Sequence, residues 1–87
     1  MTTTTGHLPL CFYAARDEAK RHLGDGYDMM MFESCRLLLQ LATMRHETVT
    51  AAALRLARKC IAEDRQFAAI GILAAGAEII EPSGLPS

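Results

Sequence analysis

Nucleophilic catalysis needs a nucleophile, a base within hydrogen-bond reach and a group that orients the base. The chain of 87 residues offers Cys11, Cys35 and Cys60 as nucleophiles and His7, His22 and His46 as bases. Cys11 and His22 share one helical segment, but three turns separate them, about 16 Å by helix rise. Nothing in the spacing brings Cys35 or Cys60 to a histidine. The carboxylate pairs Asp17–Glu18 and Glu63–Asp64 are adjacent in sequence, so on a helix they diverge by about 100° and read as solvated charges. Structural zinc asks for four ligands in close pairs, a pattern that neither the cysteines nor the histidines make. The expectation is a protein that is not an enzyme and needs no metal or cofactor.

Each of these residues also has a plainer role. His22 falls within an apolar stripe, three residues after Ala19, and is expected to be half-buried and bonded to backbone. The three cysteines are odd in number, contain no CxxC pair and fall on apolar faces of different helical segments. That pattern predicts buried free thiols in a reducing cytoplasm rather than a disulfide framework. The start MTTTTGH has no basic region followed by an apolar run, so no signal peptide is expected. The longest uncharged run, residues 66–77, is twelve residues, short of the roughly 20 that cross a bilayer.

Arg55, Arg58 and Lys59 form the main basic cluster, with Arg45 and Arg65 nearby. A helix that begins at Thr48 after a short turn has the outline of a recognition helix. The turn glycine of that motif is missing, and Glu47, Glu63 and Asp64 dilute the charge. Nine Lys and Arg against ten Asp and Glu give no field that would steer the chain to nucleic acid or an anionic membrane. The three side chains are therefore read as a solvated face. The alternative is a polyanion contact through Arg55, Arg58 and Lys59 in a dimeric nucleic-acid-binding regulator.

The elements that position these residues follow from apolar spacing, in a chain that is 51% hydrophobic. Four segments repeat with helical period and none alternates as a strand does. They run over about 9–23, 26–46, 49–63 and 65–80, a small all-α bundle of three to four helices. Pro9 suits a first helical turn, Gly24 a left-handed stop, Asp25 and Thr48 N-caps, and Pro82 a terminator. A break near Asp64 is favoured over one long bent helix. Residues 1–7 and 82–87 read as flexible tails around a single domain, 8–81.

The segment from Tyr27 to His46 is apolar over more than twice the ~100° stripe of an ordinary surface helix. It is expected to lie at the centre, touched from several sides, with Met30 and Met31 in the core. Met29 projects onto the polar stripe of Glu33 and Arg36 and is expected to be exposed unless another chain covers it. The last helix is also apolar nearly all round, and its small residues suggest close helix approach. One bundle of this size surrounds one such helix, hardly two. A symmetric homodimer is the commonest way to close the surplus, with Met29, Gly71, Ile72, Ala75 and Ile79 as candidate interface residues. The functional expectation is a small helical interaction module, an adaptor, regulator or inhibitor that acts through protein–protein contact.

Overall fold

The computed structural model describes residues 9–82. Among these, the chain forms four α-helices and a short 3₁₀ turn, with no strand. The helices are α1 (Leu10–Leu23), α2 (Tyr27–Arg45), α3 (Val49–Ala62) and α4 (Gln66–Ile80). The expected tail at 1–7 lies outside the described residues, as does the one at 82–87 apart from Pro82.

Local chemistry accounts for the ends. Gly24 closes α1 at φ 53°, a positive value that glycine takes without penalty, and its N–H donates to the Lys20 carbonyl. Lys20, Arg21 and His22 occupy the last turn of α1, where the helix dipole favours cations. Thr48 caps α3, its Oγ1 accepting from Ala51 N–H at 3.0 Å. Asp25 does not cap α2, contrary to expectation. Gly24–Gly26 wind into a 3₁₀ turn that runs straight into α2, and the Tyr27 N–H is already bonded to the Gly24 carbonyl. Gly26 keeps a helical conformation, so no extended residue is present from which a side chain could reach back over the first turn.

The break near Asp64 is real, and its geometry recurs at the end of α2. Behind α3, Arg65 N–H donates to Cys60 O at 2.8 Å and Asp64 N–H to Ile61 O at 2.9 Å. Behind α2, Glu47 N–H donates to Ala42 O at 3.0 Å and His46 N–H to Thr43 O at 3.2 Å. Both sets are Schellman motifs, which place one residue in the left-handed region. Here those residues are Asp64 (φ 63°) and His46 (φ 54°), neither of them glycine. His46→Gly is therefore expected to stabilise the fold by roughly 0.5–1 kcal/mol, because relief of left-handed strain outweighs the extra freedom of the unfolded chain. A thermal melt checks this, and an unchanged or lower midpoint would contradict it.

The helix touched from all sides is α4, not the Tyr27–His46 segment; α1, α2 and α3 all pack on it. Side-chain size decides between these two apolar helices. α4 buries Ala69, Gly71, Ala74, Ala75, Gly76 and Ala77, so three neighbours can approach its backbone at once. Phe12 of α1 and Ala53 of α3 both stand against Gly76; Ala15 and Ala19 lie on the buried side of α1, and Ala52 and Ala57 on that of α3. α2 contributes only Tyr27, Met31, Leu38 and Ala42 to the buried set. Among the described residues, no helix is left to cover its outer surface.

Candidate functional site

Of the large apolar side chains left exposed among the described residues, five lie on α2: Met29, Phe32, Leu37, Leu39 and Met44. α4 leaves two such residues, Phe67 and Ile80, and α1 and α3 one each, Leu10 and Ile61. The unpartnered apolar surface is thus concentrated on one element. Successive residues of a helix point about 100° apart, which sorts α2 into a buried stripe and two shoulders. Phe32 and Leu39, seven residues apart, lie on one shoulder; Leu37 and Met44, also seven apart, lie on the other. Met29, Glu33, Arg36, Gln40 and Thr43 run between the shoulders on the outward side and are all exposed.

A cavity accompanies each shoulder. Beside Phe32 and Leu39 lies an open cavity of about 560 Å³, bounded by Lys20 of α1, Tyr27 and Cys35 of α2 and Glu78 of α4. Beside Leu37 lies a smaller one of about 280 Å³, walled by Met30 and Leu41 of α2, Leu56 and Cys60 of α3, and Ile72 of α4.

The larger cavity has polar chemistry at its base. Tyr27 O–H donates to Glu78 Oε2 at 2.5 Å, and the Lys20 ammonium lies 5.5 Å from the Tyr27 ring centroid. Burial, then the Glu78 carboxylate, pushes the Tyr27 phenol well above its ordinary value. Burial followed by Glu78 also raises the Cys35 thiol, whose S–H points to Ala75 O at 3.5 Å. A thiol kept protonated is a poor nucleophile. The arrangement holds protons in place and does not activate a nucleophile. A second tyrosine–glutamate bond ties α4 to α1: Tyr13 O–H donates to Glu81 Oε2 at 3.0 Å, and Arg16 Nη1 to Glu81 O at 2.5 Å.

The buried Tyr27–Glu78 bond gives the fold an alkaline limit. A phenol whose folded pKa is raised binds its proton more tightly folded than unfolded. Its contribution is complete below the unfolded value near 10 and is lost as pH rises from there toward the folded value. Cys35 acts with the same sign from the ordinary thiol range upward. Stability in urea is expected to fall above pH ~10 by up to about 1.4 kcal/mol per pH unit for each proton so held. Tyr27→Phe should make that decline shallower. Identical slopes for the two proteins would refute the assignment to Tyr27.

The residues singled out by sequence fall as follows. Cys11 is exposed and Cys35 and Cys60 are half-buried, so the expectation of three buried thiols is corrected; all three are free. Cys11 sits about 100° around α1 from Phe12, which takes the core position. His22 is largely exposed and meets Glu18 Oε2 at 2.7 Å instead of backbone, with its ring edge-on to Phe67 at 5.7 Å. No group of three metal-binding side chains occurs among the described residues.

The basic cluster divides. Arg55 Nε donates to Glu47 Oε1 at 3.1 Å, its Nη2 bonds the same carboxylate, and Arg45 lies 3.5 Å from it. The Arg55 hydrogen bond holds the Glu47 carboxyl below the usual range. Arg58 and Lys59 are exposed. Of the candidate interface residues, Met29 is 75% exposed. Gly71 and Ala75 are buried within the chain, and Ile72 and Ile79 are half-buried against its core. Sequence reasoning did not pair Tyr13 with Glu81 or Tyr27 with Glu78. No local pattern in the sequence links these partners, which stand 68 and 51 residues apart.

No protein-family model matches the chain, no curated protein is significantly similar to it, and no solved structure is significantly similar either. No helix among the described residues is long and apolar enough to cross a membrane.

Proposed function

We propose that this chain is a small non-enzymatic interaction module that acts through protein–protein contact and associates with itself as a homodimer. The supporting observation is the pair of exposed apolar shoulders on α2, Phe32 with Leu39 and Leu37 with Met44. Fully burying a large apolar side chain contributes roughly 1.5–3 kcal/mol, so leaving these four about half exposed forgoes several kcal/mol in a domain whose whole stability is ~5–15 kcal/mol. Methionine and aromatic side chains are also the types that interfaces favour. Three free thiols suit a reducing compartment, and the cytoplasm is the proposed location. The engagement of Arg55 by Glu47 weighs against a role for the basic face in binding polyanions.

Paired substitutions test the proposal. Leu37→Gln with Met44→Gln, or Phe32→Gln with Leu39→Gln, should abolish contact through the altered shoulder while circular dichroism stays helical. Arg58→Gln with Lys59→Gln should leave association unchanged. Steeply salt-dependent retention on heparin, lost in the Arg58, Lys59 variant, would overturn this reading in favour of nucleic acid.

A further inference from the structure

The cavity of about 560 Å³ has the make-up of a small-molecule site, with apolar walls and a few converging polar groups. Met31, Phe32 and Leu39 supply the walls, and Tyr27 and Glu78 the base. Two carboxylates, Asp28 and Glu78, and two cations, Lys20 and Arg36, line it. The four charges are not equally placed. Glu78 is half-buried and accepts the Tyr27 O–H, whereas Lys20 and Arg36 are exposed. The Lys20 ammonium lies 5.5 Å from the centroid of the Tyr27 ring, a cation–π arrangement. The base of the cavity therefore already receives a primary ammonium, carried there on a flexible four-carbon stem. Lys20 and Glu78 belong to the last turns of α1 and α4, where the helix dipoles also favour a cation. The first turn of α2 opposes them, and Asp28 stands in that turn to offset it.

We propose that this cavity binds a small organic amine with an aromatic or aliphatic body, whose ammonium takes the place of the Lys20 ammonium beside the Tyr27 ring and the Glu78 carboxylate. The body lies along Met31, Phe32 and Leu39. Once Lys20 turns out to solvent, Asp28 and Glu78 face one cation, Arg36, and the balance favours a positive ligand. Arg36 stands eight residues beyond Asp28, about 12 Å by helix rise, with its guanidinium 5.8 Å from the Phe32 ring centroid. It therefore borders the apolar body and not the ammonium. The site requires no second copy of the chain.

Three probes of one body and different charge test this: phenylethylamine, phenylpropionate and phenylethanol, each titrated into the isotope-labelled protein at neutral pH. The amine should shift the amide signals of Tyr27, Cys35 and Glu78 saturably and bind more tightly than the alcohol, and the carboxylate should bind least. Lys20→Gln removes the resident ammonium and should tighten amine binding. Glu78→Gln keeps an acceptor for the Tyr27 O–H and should weaken amine binding about tenfold, the loss of one charge-assisted hydrogen bond. If Glu78→Gln loses its helical dichroism, the exposed Lys20→Gln variant decides alone. A carboxylate that binds best, an amine no tighter than the alcohol, amine binding weakened by Lys20→Gln, or no saturable shift with any probe would each overturn the proposal.

Discussion

Gly76→Ala is expected to destabilise the protein by roughly 1–3 kcal/mol or more, against the usual gain of about 1 kcal/mol when alanine replaces glycine in a helix. A Cβ at Gly76 would stand 2.8 Å from Phe12 Cε2 and 3.2 Å from Ala53 Cβ. Phe12 has no exposed surface and Ala53 none, so neither can swing aside into solvent. α1, α3 and α4 meet at this one position, and the added methyl would push all three apart. Gly71→Ala is the internal control. Its Cβ would meet only Met30 Cε, at an ordinary 3.6 Å, so the propensity gain should appear and the melting temperature should rise. Urea denaturation of the two variants decides the matter. Equal effects would mean that α4 does not hold its neighbours as closely as described.

Phe12→Ala is expected to cost about 3–5 kcal/mol, the range for removing a buried aromatic ring. Phe12 and Leu38 are the largest side chains with essentially no exposed surface. The rest of the buried set is mostly alanine, whose methyl groups are too short to refill the space. Against a total of ~5–15 kcal/mol for a domain, the variant should be marginally folded at 25 °C. The two substitutions should not add. Once the ring is gone, the Gly76 methyl enters the space it left, so the double variant should be more stable than the sum of the singles predicts. Strict additivity in a double-mutant cycle would show that the ring and Gly76 do not share one contact.

The helix boundaries were legible because their signals are local. Gly24 and Thr48 do at the helix ends what their chemistry allows, and Pro82 follows α4. The terminator Asp64 is legible only as a break, since its left-handed conformation comes from the Schellman bonds around it. Which helix is central was not legible from apolar content, because α2 and α4 are both apolar over most of their circumference. The distinction lies in volume: Ala and Gly on α4 admit three neighbours, while Met, Phe and Leu on α2 cannot all find partners in a chain this short. Met29 could be read as exposed because it shares a stripe with Glu33 and Arg36. The Tyr27–Glu78 and Tyr13–Glu81 bonds could not be read, since their partners stand 51 and 68 residues apart and no local pattern links them. Arg55 looked like a free cation because Glu47 reaches it only after the chain turns from α2 into α3.

The unpartnered apolar surface of α2 is the basis of the functional proposal, and one measurement tests it most directly: the molar mass of the unmodified chain by light scattering at micromolar concentration. The expected value is twice the 9.5 kDa of a single chain, falling toward the single-chain value only on strong dilution. A mass of one chain throughout that range would contradict self-association through α2.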